Sequence, residues 1–270
     1  MANVYLSAGT FITKLNGRDI TLLDKYAPCF DCDGFEFMMY PEYYGRTDEV
    51  VKYTAKVLTP VFHADKTIGD LLSGGSEEEY AKALEMFDVN LCAAKNIGAS
   101  KAVFHCWGIP DSDRRMTRIV EEIGALYERS KSSGIDMLVE NCVCVNGSPL
   151  DHLETLAREI SGIGLIVDVR CAQFHGELER TMNSFIWKKN VRHVHISDFA
   201  GSYMDWTKLR PILRPTYGTI DWDVVWNGLK NNGYDNTFTL ESPTFLPGGR
   251  IVPSLANDSI RYIREHIASK

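Results

Sequence analysis

The chain lacks three features that would each place it in a known class. No apolar run approaches the roughly 18 residues that a membrane-spanning helix needs. The N-terminus, MANVYLSAG, has no basic segment followed by a long apolar stretch, so neither secretion nor membrane insertion is expected. No G-x-G-x-x-G motif follows the first strand-like run, which removes the usual dinucleotide-binding fold.

Positive charge is also scarce. The 270 residues include 29 lysines and arginines against 36 aspartates and glutamates, which gives a net charge of −7. This balance argues against a nucleic-acid partner and favours a small polar substrate. A hydrophobic content of 44% with 24% charged residues is typical of a globular protein, so one domain spanning residues 1–270 is predicted.

The seven cysteines are odd in number, and most stand beside apolar residues, as buried reduced thiols do. This pattern favours a reducing cytoplasm as the location of the protein. Cys29 and Cys32 have the spacing of a redox or zinc motif, but no second C-x-x-C pair accompanies them. We therefore do not treat this pair as a candidate site.

Short apolar runs recur along the chain, and helical patterns separate most of them. The clearest helix begins with a capping box formed by Ser76 and Glu79. The predicted strands are 4–6, 34–38, 59–63, 102–105, 137–140, 165–168, 192–196 and 237–241. Eight strands that alternate with helices over about 250 residues of the chain predict a parallel (β/α)8 TIM barrel.

Six of these strands end in the same way, with an apolar residue followed by a polar residue that can bind a metal. The pairs are Phe62-His63, Phe104-His105, Val139-Glu140, Val167-Asp168, Val194-His195 and Leu240-Glu241. Because a strand alternates its faces, the apolar member points towards the covering helices and the polar member points into the barrel. Active sites of such barrels lie at the carboxyl ends of the strands, so these polar residues are predicted to converge.

Four of the strand-end residues form an oxygen-rich set. Glu140, Asp168 and Glu241 supply carboxylates, and His195 supplies an imidazole. Such donors suit a divalent ion that keeps open coordination positions, and we predict Mn²⁺, with Mg²⁺, Co²⁺ and Zn²⁺ as compatible ions. The alternative is that these carboxylates cap helices or pair with arginines.

Five short motifs stand in a fixed order at or near the predicted strand ends. They are V-E-N at 139–141, V-D at 167–168, H-V-H-I-S-D at 193–198, G-T-I-D at 218–221 and L-E-S at 240–242. With these motifs the chain resembles, over nearly its whole length, the xylose-isomerase-like TIM-barrel superfamily. That superfamily includes ketose 3-epimerases, inosose isomerases, hydroxypyruvate isomerases and the endonuclease IV branch. The resemblance implies that Glu140, Asp168, His195 and Glu241 hold one metal and that both glutamates act as proton-transfer bases.

The chemistry of the donor set agrees with this resemblance. Removing a proton beside a carbonyl leaves an enediolate, whose negative oxygen needs a positive partner such as a metal ion. If Glu140 and Glu241 flank the substrate, one takes the proton and the other returns it, which inverts a carbon. Return of the proton to the neighbouring carbon gives isomerisation. We therefore expect a metal-dependent isomerase or epimerase of a ketose or related polyol ketone, free or phosphorylated.

Three other functions stay open. An endonuclease IV-like phosphodiesterase would use His63 and His105 for further zinc ions. That branch also places a histidine where Cys171 stands and an Asp-x-His after the seventh strand, yet no histidine occurs between His195 and His266. A dehydratase of the inosose or dehydroshikimate type shares the enolate chemistry. A non-catalytic sugar-binding barrel would not need two opposed glutamates.

The remaining candidates are predicted to bind the substrate. His63 and His105 end two strands on the inward pattern, with interior packing as the alternative. The others are Glu36 in the second strand, Trp107 after His105, Cys171 and His175 after Asp168, and Arg214 in the segment after the seventh strand. Trp107 offers a ring for sugar stacking, and barrels often bind phosphate near the position of Arg214. The resembled family includes homodimers and tetramers, but no interface pattern identifies either state here.

Overall fold

The computed structural model describes residues 2–108 and 113–268, and its strands close into one parallel barrel. Each strand pairs with the next in chain order, and the last pairs with the first between Val4–Leu6 and Phe238–Leu240. The strands are β1 (Val4–Ser7), β2 (Phe35–Met38), β3 (Val61–His63), β4 (Lys101–Phe104), β5 (Asp136–Glu140), β6 (Gly164–Asp168), β7 (Val191–Ile196) and β8 (Thr237–Leu240). The predicted (β/α)8 barrel is therefore confirmed.

Ten α-helices occur within the described ranges, and most of them connect one strand to the next. They are α1 (Thr21–Tyr26), α2 (Thr47–Thr54), α3 (Thr67–Gly74), α4 (Glu77–Asn96), α5 (Met116–Ser133), α6 (Pro149–Glu159), α7 (Val169–Phe174), α8 (Leu178–Met182), α9 (Trp222–Asn231) and α10 (Pro253–Ala268). The predicted capping box starts α4, where the Glu79 N–H donates to Ser76 Oγ at 3.1 Å and the Ser76 N–H donates to the Glu79 carboxylate at 3.0 Å. Across residues 2–108 and 113–268, no helix combines the length and apolar character needed to cross a bilayer.

The strand residues alternate between two separate apolar layers. The six apolar members of the strand-end pairs all belong to the large core between the barrel and the helices. A second, small cluster fills the barrel interior with Tyr5, Val61, Val103, Leu138 and Ile166. The last four of these stand two residues before His63, His105, Glu140 and Asp168. Because side chains two residues apart share a face, the polar residues continue the inward face towards the carboxyl ends of the strands.

The observed strand boundaries differ from the predicted ones by one or two residues. Glu241, for example, follows β8 instead of ending it. Its N–H nevertheless donates to the Ile196 carbonyl at 3.0 Å, which continues the pairing between β7 and β8. The backbone of Glu241 is therefore held beside β7, in line with the strand.

The amino end of the barrel is closed by a polar cluster. Lys101 at the start of β4 donates through Nζ to the Arg192 carbonyl at 2.9 Å and to Thr237 Oγ1 at 3.0 Å. Arg192 in turn pairs with Asp136 at the start of β5. Burial lowers the pKa of Lys101, with Asp136 opposing that shift. Charged groups thus seal the end of the barrel that lies opposite the strand-end residues.

Because the interior cluster is buried, a cavity in the barrel is expected to lower the free energy of unfolding substantially. Ile166 is completely buried, so Ile166→Ala should lower the free energy of unfolding by about 2–5 kcal/mol. Leu58 is 63% exposed, and Leu58→Ala should change it by about 0.5 kcal/mol or less. Urea denaturation of both variants measures the difference. Equal losses would show that the barrel interior is not tightly packed.

Candidate metal centre and active site

The structure brings four of the strand-end residues together at the carboxyl end of the barrel. Glu140 and Asp168 end β5 and β6, His195 lies in β7, and Glu241 follows β8. One ligand atom from each lies within 4.8 Å of the others. His195 Nδ1 is 3.1 Å from Glu140 Oε1 and 3.6 Å from Glu241 Oε2. We call these four side chains the donor set.

The donor set fits a divalent metal ion. Glu140 Oε2 and Asp168 Oδ2 are buried, and neither accepts an aligned hydrogen bond. A buried carboxylate oxygen without a donor costs free energy, and a cation would satisfy it. Three carboxylates and one imidazole can bind Mn²⁺, Mg²⁺, Co²⁺ or Zn²⁺.

The pKa values of Glu140 and Glu241 are shifted in opposite directions. Burial raises the pKa of Glu241 to about 7, with Glu140 and Glu36 adding to the rise and His195 opposing it. Burial acts on Glu140 in the same direction, but His195 and His105 hold the pKa of Glu140 well below its usual range. Without a metal, one glutamate can therefore carry a proton near neutral pH while the other stays ionised. Such pairs are typical of acid–base sites.

His63 and His105 lie beside the donor set and share Glu140 with it. Their Nε2 atoms are 3.6 Å and 2.8 Å from Glu140 Oε2, although neither contact is aligned as a hydrogen bond. The His63 Nδ1–H donates to the Ala64 carbonyl at 2.9 Å, so Nε2 is the atom that faces Glu140. These three residues form a second, smaller group with metal-ligand spacing. The side chain of His105 is 23% exposed and can reach a bound molecule.

Glu36 does not take the expected place beside a substrate hydroxyl. It is completely buried inside the barrel, where Oε2 is 3.1 Å from His195 Nε2 and 3.3 Å from His193 Nε2. His193 is a core histidine, since it is completely buried and its nitrogens bond to Thr237 and Thr239. The Nε2–H of His195 therefore points at Glu36, while its Nδ1 points at the other members of the donor set. A carboxylate on the far nitrogen is the usual way to orient a metal-binding histidine.

Trp107 and His175 also differ from their predicted roles. Trp107 is completely buried, and its indole N–H donates to the Cys142 carbonyl at 3.1 Å, so the ring cannot stack on a sugar. His175 is buried as well, and its Nε2 accepts the N–H of Cys144 at 3.2 Å. Both side chains point into the protein because the chain turns directly after β4 and after α7. Their positions hold the loop after β5.

Cys171 contacts the donor set, whereas no described contact joins Arg214 to it. The Cys171 N–H donates to Asp168 Oδ1 at 3.0 Å, and the residue also packs in an apolar cluster with Val143, Phe174 and Phe199. Arg214 lies in the loop after β7, where its guanidinium stacks over the Tyr217 ring at 4.1 Å. A role of either residue in substrate binding stays a prediction.

Several residues that hold the site were missed by sequence reasoning. The Asn141 amide accepts the Asp168 N–H at 2.6 Å and donates to the Asp168 carbonyl at 3.1 Å, which links β5 to β6. Asp198 accepts three backbone N–H groups from the loop after β7, including that of Gly218, and the indole N–H of Trp222 at the start of α9. Both residues follow a donor-set residue by one or three positions, which is the signal that could have identified them. Arg170, which had no assigned role, also lies beside Asp168.

Asp113 and His152 form a further buried pair that the sequence did not indicate. Asp113 Oδ2 is 2.9 Å from His152 Nε2, and Oδ1 accepts the backbone N–H groups of Val145 and Asn146. Together with Cys144 these residues have metal-ligand spacing. Because the Asp113 carboxylate already accepts several hydrogen bonds, the described contacts favour a structural role in holding the loop after β5.

A parallel barrel that gathers three carboxylates and an imidazole at the carboxyl ends of its strands has its candidate site where barrel enzymes place their active sites. The model of the xylose isomerase-like TIM barrel family matches residues 31–266, and the chain belongs to that family. No curated protein sequence shows significant similarity to the chain.

Several solved structures share the fold over nearly the whole chain. A zinc-bound structure of the IolI protein has a TM-score of 0.74 at 16% identity and covers 99% of this chain and 97% of its own. A D-tagatose 3-epimerase-like protein has a TM-score of 0.72 at 18% identity, with coverages of 99% and 97%. The 3-keto-D-glucoside 4-epimerase YcjR from E. coli has a TM-score of 0.67 at 16% identity, with coverages of 98% and 100%. At such identities, these similarities show the fold alone.

The contact between Glu36 and His195 predicts an effect on metal binding. Glu36→Gln should weaken divalent-metal affinity by about 10–100-fold, because the carboxylate that orients the imidazole is lost. Competition with a chromophoric chelator measures this for Mn²⁺ and Zn²⁺. Glu85→Gln, on the exposed face of α4, is the control and should leave the affinity unchanged. An unaltered affinity in Glu36→Gln would show that His195 is held by other contacts.

The contact between His175 and Cys144 predicts a pH effect on stability. Burial lowers the pKa of His175 from 6.5 to about 4, so the unfolded chain binds more protons between these values and stability falls as the pH falls. Gln can accept the Cys144 N–H without titrating. His175→Gln should therefore show a shallower loss of stability between pH 6.5 and 4 in urea titrations. Superimposable profiles for both proteins would contradict this assignment.

Proposed function

We propose that the protein is a divalent-metal-dependent sugar isomerase or epimerase that transfers a proton beside the carbonyl of a ketose or related polyol ketone. The observation that carries this proposal is the pair Glu140 and Glu241. Both belong to the donor set, Glu140 is buried while the side chain of Glu241 is 13% exposed, and without a metal their pKa values are displaced in opposite directions. The epimerases among the solved structures of similar fold support the same class of substrate.

In this proposal the two glutamates carry out the proton transfer. They come from β5 and from the end of β8, so they approach a molecule in the barrel mouth from different sides. An ionised Glu140 accepts the proton from one face of the carbon, and Glu241 supplies a proton from the other face. General acid–base catalysis of this kind is typically worth about 10²–10⁴-fold in rate.

Glu140, Asp168, His195 and Glu241 would hold the divalent ion. When bound, the ion supplies the positive charge that stabilises the enediolate oxygen. Mn²⁺ is the ion we propose from the oxygen-rich donors, while the IolI structure of similar fold contains zinc. His105, which is 23% exposed, would donate a hydrogen bond to a substrate oxygen, and His63 beside it would contact the same molecule. A dehydratase would use the same residues and differ in its product.

A metal-dependent phosphodiesterase is the second candidate, and one observation favours it. His63, His105 and Glu140 form a second ligand group that shares a carboxylate with the donor set, as two-metal sites do. Two features count against this candidate. The Cys171 thiol is packed among apolar side chains, and the net charge of −7 disfavours binding to a polyanion.

Deuterium uptake from heavy water tests the leading proposal without assuming a product. Protein loaded with Mn²⁺ or Zn²⁺ should incorporate deuterium at one carbon of at least one member of a panel of free and phosphorylated ketoses, as seen by NMR. Glu241→Gln should lower the rate by about 10²–10⁴-fold because the proton carrier is lost. Glu85→Gln again serves as the matched control.

Three outcomes would overturn the proposal. Absence of deuterium uptake with every sugar, together with cleavage of abasic-site DNA, would establish the phosphodiesterase instead. Uptake that is equally fast in Glu241→Gln and the wild type would show that Glu241 does not transfer the proton. A bound sugar without any exchange would identify a binding protein.

A further inference from the structure

Arg170 is a buried arginine whose hydrogen-bonding groups are mostly unused. It is the second residue of α7, and its side chain is only 13% exposed. Nη1 donates to the Leu209 carbonyl over a long 3.4 Å, and the buried Nε has no partner. A guanidinium has five N–H donors, and buried ones are normally satisfied. The described contacts leave most of its donors for another group.

The position of Arg170 places it between the donor set and the loop after β7. Nη2 is 3.7 Å from Asp168 Oδ2, and Glu241 and Glu140 are the next acidic groups whose charge acts on it. Leu209 belongs to the loop that covers it. The guanidinium therefore lies at the rim of the proposed metal site.

A salt bridge to Asp168 does not account for this arginine. A stabilising arginine–carboxylate pair is short and often bidentate, with N···O distances of about 2.7–2.9 Å. Here the distance is 3.7 Å, and the other oxygen of Asp168 already accepts the Cys171 N–H. Removing an arginine from water without short partners is unfavourable. The missing partner is best supplied by an oxygen-bearing ligand.

We propose that Arg170 binds the substrate by donating to the two adjacent oxygens of an α-hydroxy ketone, which become the oxygens of the enediolate. This inference rests on the proposed function and specifies its substrate class. The planar fork of a guanidinium matches two adjacent oxygens better than an ammonium does. Three ionised carboxylates with one divalent ion leave one net negative charge at the donor set, and Arg170 brings a positive charge to its rim, which favours an anionic enediolate.

Binding of glycolohydroxamate tests the proposal, because this compound has the paired oxygens and the charge of an enediolate. Calorimetry on Mn²⁺-loaded protein should show that Arg170→Met weakens binding by about 10–100-fold, the usual effect of losing hydrogen bonds to a charged group. Arg170→Lys should weaken it by about threefold or more, since lysine lacks the fork. Arg129→Met removes an exposed arginine of α5 that pairs with Asp88, and it should bind the probe like the wild type.

Metal affinity separates substrate binding from a structural role. If Arg170 only positions Asp168, Arg170→Met should bind Mn²⁺ more weakly; our proposal predicts equal or tighter Mn²⁺ binding, because a positive charge is removed. Equal affinity for the probe in Arg170→Lys, Arg170→Met and wild type would overturn the role of Arg170. If Arg170→Met does not fold, Arg170→Lys decides alone. Absence of probe binding to the wild type would instead overturn the proposed enediolate chemistry.

Discussion

The burial of four carboxylates at one end of a barrel is the constraint on which the rest of the site depends. Glu36, Glu140, Asp168 and Glu241 are largely removed from water, where ionised groups are costly unless they are paired. Four histidines, Arg170 and the backbone N–H of Cys171 surround them. His195 lies between Glu36, on the side of the barrel interior, and the other members of the donor set, and so links the interior to the site. Glu36 Oε1, Glu140 Oε2 and Asp168 Oδ2 accept no aligned hydrogen bond, and the last two belong to the donor set, which explains why the geometry favours a cation.

The sequence predicted the barrel and the convergence of its strand ends because both follow from strict periodicity. An apolar residue followed by a polar one at six strand ends fixes the two faces of each strand, whatever the helices do. Side chains beyond the strand ends could not be predicted in this way. Trp107 and His175 stand only a few residues past Phe104 and Asp168, but there the backbone turns and the alternation is lost. Their direction depends on which loops cover them, and this information is spread over the whole chain.

Glu36 and Arg170 show two other limits of sequence reasoning. Glu36 has the expected inward direction, but its distance along the barrel axis determines whether it meets a substrate or a histidine, and that distance depends on strand register. Arg170 stands two residues beyond the end of β6, where the strand alternation no longer predicts the direction of a side chain. It is largely covered because α7 begins directly after Asp168, whose carboxylate caps the helix through the Cys171 N–H. Asp168 thus ends β6, caps α7 and belongs to the donor set. Few other side chains could replace it.

The hydrogen bonds of His193 have a consequence for how such a protein can change over evolution. In many barrels the amino end maintains stability while the carboxyl end carries function, and the two can vary separately. Here Lys101 contacts Thr237, Thr237 contacts His193, and His193 reaches Glu36 beneath His195. A continuous series of polar contacts therefore runs through the barrel from its amino end to the site. Substitutions at the amino end would alter the position of His195 through these contacts. The two ends of the barrel are therefore constrained to evolve together.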